Sequence, residues 1–133
     1  MNGPDDSLPP EVRKAFGTLT CAGDLPPAPG LQLRGEAGSV AEGTHVRFQL
    51  RVVEGRISEA RFRAYGCPYT LATCNWLAGR LPGLTLAQLA AESPQQWSGV
   101  LGVPVDRLTR LLTIEDALRA AAAQAQSEQG LGR

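Results

Sequence analysis

The stretch most able to do chemistry is "AYGCPYT", residues 64–70, where a cysteine follows a strand-like run and precedes a helix-like one. Cys67 sits where the backbone N–H groups and positive end of a helix dipole converge, and both favour thiolate, the form that attacks electrophiles and binds metals. A redox nucleophile, a metal ligand and a small packed thiol all remain open for it. Cys74, two turns further along, shares a helix face with Leu71 and Leu77 and reads as a core residue. Cys21 stands in an N-terminal loop with no partner in the pattern, and His45, the single histidine, opens a strand on its polar side. With no CxxC and no His pair at helical spacing, a structural zinc site has no basis. No GxGxxG, phosphate loop or nucleophilic triad occurs either, so a catalytic function is not expected.

The surrounding pattern must position Cys67. "HVRFQLRVV" alternates Val46, Phe48, Leu50 and Val52 with His45, Arg47, Gln49 and Arg51, the mark of a half-buried strand. Glu54-Gly55 forms a tight turn, and "RISEARFRAY" returns with Ala60, Phe62 and Ala64 inward: an antiparallel hairpin with arginines outward. Arg47, Arg51, Arg56, Arg61 and Arg63 against Glu54 and Glu59 make either a solvated face or a docking surface for an acidic partner. "LQLRGEAGSV" is a weaker strand, interrupted by Gly35 and Gly38.

After Cys67 the period turns helical. A helix runs toward Gly79, and a short one follows in "TLAQLAAE" with Thr85 as N-cap. A third starts at Ser93-Pro94, and the longest covers "VDRLTRLLTIEDALRAAAAQAQ" with Leu108, Leu111 or Leu112, Glu115 and Leu118 at turn spacing. "LPPEVRKAF" can hold a short helix and "DLPPAPG" an extended loop. Strands first and helices after predict an α+β fold. The expected organisation is a tail over 1–7, one domain over 8–126 and a second, fraying tail over 127–133.

The 133 residues are 43% hydrophobic with zero formal net charge, enough apolar content for one core and no general pull toward nucleic acid or membrane. With no apolar leader and no apolar run of about 20 residues, the chain reads as soluble and cytoplasmic, with its cysteines reduced.

Two resemblances follow. "CPYT" is similar to the glutaredoxin active-site motif, and "GVPV" at 102–105 to that family's Val-Pro segment. The approaching strand, however, is half arginine, and only a helix follows Pro104. The wider resemblance spans nearly the whole chain: "VRFQLRVVEGRISEARFRAYGC", "LTLAQLAAE", "GVPVDR" and "TIEDALRAAAA" resemble the iron–sulfur cluster scaffold family of IscU-like and NifU N-terminal proteins. That resemblance implies a sandwich of a three-stranded antiparallel sheet packed against helices, ending in a long C-terminal helix. It also implies a cluster site of three cysteines and an aspartate, with a histidine beside the third cysteine.

Carried over position by position, the family's second cysteine falls on Cys67. Its first falls on Glu42, its aspartate on Thr44, its histidine on Thr109 and its third cysteine on Arg110. Its chaperone-recognition segment falls on Val103, Pro104 and onward to Arg107. The resemblance therefore implies a degenerate site, with Cys67 and Glu42 as the remaining metal donors, an iron–sulfur cluster or iron as what they would hold, and a cysteine desulfurase or another assembly protein as partner. Glu42 and Arg110 are expected to form an ion pair across the vacated site. The functional readings are a scaffold binding iron or persulfide through Cys67, a cluster-free interaction or regulatory protein, and a thiol redox protein using "CPYT".

Overall fold

The computed structural model describes residues 21–131 and Pro10, with side chains described as far as Ala125. The expected "LPPEVRKAF" helix and the N-terminal tail lie outside the described residues, Pro10 excepted. The elements are β1 (Leu31–Ser39), β2 (Thr44–Val53), β3 (Arg56–Tyr65), α1 (Pro68–Arg80), α2 (Leu86–Ala90), α3 (Pro94–Leu101) and α4 (Leu108–Leu131). Single 3-10 turns at Val40–Glu42 and Val105–Arg107 punctuate the order. The sheet is antiparallel in the order β1-β2-β3. The helices pack one of its faces, so the predicted α+β sandwich is the observed one.

The hairpin forms as its pattern predicts. Glu54 and Gly55 both take positive φ, 53° and 78°, the backbone of a two-residue turn matched to strand twist. Phe48 and Phe62 face each other across the strands at the centre of the core, with ring centroids 6.4 Å apart. Near the turn the register slips: Arg51 pairs with Glu59 but Val52 pairs with Ile57, leaving Ser58 as an extra residue. This bulge switches the inward set of β3 from Ala60 to Ile57, which strict alternation would not place inside.

β1 is one continuous strand, and its glycines do not interrupt it. A Cβ at Gly35 would lie 1.9 Å from the Ala117 carbonyl oxygen, so the glycine is where α4 lies directly on the strand. The buried stripe of α4 is Leu111, Ile114, Ala117, Leu118, Ala121 and Ala125. It is shifted from the expected one: Ile114 faces the core, Glu115 is half-buried and Leu112 is exposed. Its small residues allow the close approach. The backbone stays helical to Leu131, past the expected end at Gln126.

Helix caps follow the sequence. The Thr85 hydroxyl accepts from the Gln88 N–H while the Gln88 side chain accepts from the Thr85 N–H, and Ser93 caps α3 ahead of Pro94. Glu92 ties the helices together, accepting from Arg80 at 3.1 Å and from the indole N–H of buried Trp97 at 3.1 Å.

The arginine face departs from the expected solvated surface. Arg51 is only 4% exposed. The segment Cys21–Gly30 crosses it: Cys21 and Gly23 pair with Phe62 at the β3 edge, and the Leu25 N–H donates to Gln49 at 2.9 Å. Asp24 accepts from both Arg47 and Arg63, and the Pro26 carbonyl accepts from Arg51. A proline-rich loop has few N–H groups of its own, and here it supplies acceptors to a donor-rich sheet.

Candidate functional site

β2 begins where β3 ends. His45 pairs with Tyr65, so Thr44 stands opposite the Gly66-Cys67 corner that leads into α1. Cys67 is the N-cap of α1, extended at φ −77°, ψ 170°, with Pro68 in the first turn. Tyr69 and Thr70 then occupy the second and third helical positions, whose N–H groups an N-cap acceptor takes. Thr70 is fully buried, with its hydroxyl 3.6 Å from the Cys67 sulfur. Gly66 is required at the corner because a Cβ there would come within 2.9 Å of the Thr70 side chain.

The half-buried thiol is pulled two ways. Burial raises its pKa. The N–H and hydroxyl of Thr70, the N–H of Tyr69 and the charge of Arg107 together outweigh burial and hold it below the ordinary thiol value. The sulfur makes no full capping bond with the first turn, but the N–H groups converge on it closely enough to favour thiolate. Cys74, by contrast, is completely buried in the core, and desolvation pushes its thiol far up. Cys21 is part-buried at the β3 edge, its N–H donating to the Asn75 side chain at 3.0 Å.

The other carried-over cluster-site positions lie in the 3-10 turn before β2, at the start of β2 and in the first turn of α4. Thr44 is 3% exposed and accepts a 3.1 Å hydrogen bond from the Arg110 guanidinium. The expected Glu42–Arg110 ion pair is not formed: among the described residues neither makes a salt bridge. Glu42 closes the exposed 3-10 turn, where its own N–H is taken by Ser39, and Arg110 turns to the buried hydroxyl instead. Thr109 is exposed, as is Glu42. In the 103–107 segment Val103 is buried, Pro104 is exposed and Arg107 is half-buried and close enough to Cys67 to act on its charge. His45 lies at the strand start, its ring bonded to Glu36 at 2.7 Å. Among the described residues no three of His, Cys, Asp and Glu come together as a metal site. Arginine stays charged and offers a metal no lone pair.

Sequence reasoning missed Thr70 and Tyr69. The signal was present in the spacing: a residue four short of Leu71 at an N-cap implies that the second and third residues after it present their N–H groups to its side chain.

Comparison with known proteins assigns the chain to the scaffold class of iron–sulfur assembly proteins. The chain matches the NifU-like N terminal domain family over residues 15–130, and it belongs to that family. It is 30% identical over 98 residues to the iron-sulfur cluster assembly scaffold protein IscU of Azotobacter vinelandii, covering 73% of this chain and 77% of that protein. It is 37% identical over 68 residues to the nitrogen fixation protein NifU of Cereibacter sphaeroides, covering 51% of this chain but only 28% of that longer protein. Among solved structures, a proposed scaffold protein for the SUF system from Fervidobacterium islandicum superposes with a TM-score of 0.68 at 14% identity. That match covers 90% of this chain and 99% of the other. The fold is therefore shared at low overall sequence identity.

No helix among the described residues is long and apolar enough to cross a membrane.

Proposed function

We propose that this chain is a non-catalytic scaffold-type protein of iron–sulfur cluster assembly that works through a single thiolate, Cys67, and receives sulfur there as persulfide from a cysteine desulfurase. The observation that carries the reading is the Cys67 corner: an N-cap sulfur over the N–H groups of Tyr69 and Thr70, with Arg107 nearby, its pKa below the ordinary value. In the transfer, the Cys67 thiolate attacks the outer sulfur of the donor persulfide. The donor's S–S bond breaks, a new S–S bond forms on Cys67, the donor leaves as thiolate and the proton stays on the terminal sulfur. No external oxidant or reductant is needed.

Iron is the harder cargo. A cluster of the [2Fe–2S] type takes about four ligands, mostly thiolates. Cys67 and the exposed Glu42 supply two at most, so tight binding requires ligands from a partner. The Arg110–Thr44 bond favours a second reading, a cluster-free protein that keeps the scaffold shape for an assembly partner, because it joins two former ligand positions without metal.

The test is incubation with a cysteine desulfurase and cysteine, followed by mass mapping of the three cysteine peptides. One added sulfur on the Cys67 peptide, absent in Cys67→Ser, supports persulfide receipt. An unmodified Cys67 in a desulfurase reaction that is otherwise turning over removes it.

A further inference from the structure

Among the described residues, the sheet face away from the helices carries more cation than carboxylate. Arg47 and Arg63 stand directly opposite each other on β2 and β3, an arrangement of like charges that destabilises a sheet. Asp24, reaching in from the loop, is the one carboxylate among the described residues that pairs with both. The same sharing repeats along the face. Glu59 takes Arg51 and Arg61, and Glu36 takes Arg34 and His45. Among the described residues, three carboxylates thus hold five guanidiniums and an imidazole. Donors remain in excess: among the described residues, the two buried side-chain polar atoms without a partner are Nε of Arg47 and Nε of Arg51.

Two of the three carboxylates belong to the sheet itself, and Asp24 does not. It arrives on a segment held independently of its charge, through the backbone pairing with Phe62 and the Leu25–Gln49 bond. Arg34 and Arg63 keep 54% and 58% of their side chains exposed. Beside Arg63 lies an open cleft of about 260 Å³ lined by Ala22, Gly23, Phe62, Ala64 and Leu71 as well.

We infer that this arginine face is a docking surface for an acidic segment of a partner protein, and that Asp24 stands on it as an internal surrogate for one of that segment's carboxylates. The interleaved Glu36 and Glu59 favour discrete carboxylates, set between arginines as Asp24 is, over a continuous polyphosphate chain. The apolar cleft likewise suits a polypeptide. This surface is separate from the Cys67 chemistry and stands or falls without it.

The probe is a fluorescent oligoglutamate peptide, titrated by anisotropy at low salt against the wild type, Asp24→Asn, and Asp24→Asn combined with Arg34→Gln and Arg63→Gln. Asp24→Asn frees two arginines while the loop stays anchored, so binding tightens by about three- to tenfold, the scale of one or two exposed ion pairs. The added arginine changes, both at exposed positions, reverse that gain, and salt weakens binding throughout. Matching circular dichroism melts confirm that all three proteins are folded. No binding by any variant, equal binding by wild type and Asp24→Asn, or tighter binding of a single-stranded oligonucleotide than of the peptide would overturn the inference.

Discussion

The Arg110 guanidinium donates to the Thr44 hydroxyl at 3.1 Å, across 66 residues of chain. It joins the start of β2 to the first turn of α4. In the family resemblance those two positions carry a cysteine and an aspartate that meet at metal. Here a hydrogen bond does the joining, with a buried hydroxyl that would otherwise lack an acceptor role. The family resemblance pointed to Glu42 as the partner because it places positions 42 and 110 together at the cluster site, where their opposite charges could pair. The preference for Thr44 comes from burial, since a hydrogen bond to a buried group is worth more than an ion pair in water.

Removing that bond should loosen the corner without unfolding the protein. Arg110→Ala and Thr44→Val are each expected to cost about 1 kcal/mol, with Thr44→Val the milder because it removes the buried hydroxyl together with its need for a partner. In a urea-denaturation double-mutant cycle the two should couple by roughly 1 kcal/mol. Strict additivity would mean that the bond contributes nothing.

Cys67 should be the early-reacting thiol in this corner and Cys74 inert while the protein is folded. Alkylation followed by peptide mapping should give Cys67 a midpoint below that of a free cysteine. Arg107→Gln and Thr70→Val should each raise it, since both remove a group that favours the thiolate. The linked stability effect has a fixed sign. A folded-state pKa held below the unfolded one adds stability at pH above the unfolded value and loses it as pH falls through the folded value. Cys67→Ser should therefore cost more stability in alkaline than in neutral buffer.

Two glycines should respond oppositely to alanine. Gly35→Ala drives a Cβ into the Ala117 carbonyl and the Ala121 backbone, so α4 must lift from β1, at an expected loss of about 3 kcal/mol or more. Gly79, inside α1, has open space around its would-be Cβ, and Gly79→Ala should gain about 0.5–1 kcal/mol from helix propensity. Thermal melts of the two variants on opposite sides of wild type would check both assignments.

The hairpin, the helix caps and the α+β order were legible because each is local: alternation, a Glu-Gly turn, Thr85 and Ser93 three residues before their backbone donors. What was not legible depended on contacts distant in sequence. Gly35 looked like an interruption of β1, and only the approach of Ala117, 82 residues later, explains it. Arg47 and Arg51 looked solvated because nothing in β2 or β3 announces that the Cys21–Gly30 loop will cross them. The Ser58 bulge likewise arises from fitting Ile57 into the core, a demand that pattern matching along one strand does not contain.

The most direct test of the account is anaerobic incubation of wild type and Cys67→Ser with a cysteine desulfurase, cysteine and ferrous iron, reading sulfur on each cysteine peptide and bound iron in the same samples. The account predicts persulfide on Cys67 of the wild type, none at that position in the variant, and little iron retained by either after desalting. Stoichiometric iron with charge-transfer bands in the wild type and no sulfur on Cys67 would contradict it, and would mean that other residues or a second chain complete a cluster site around this corner.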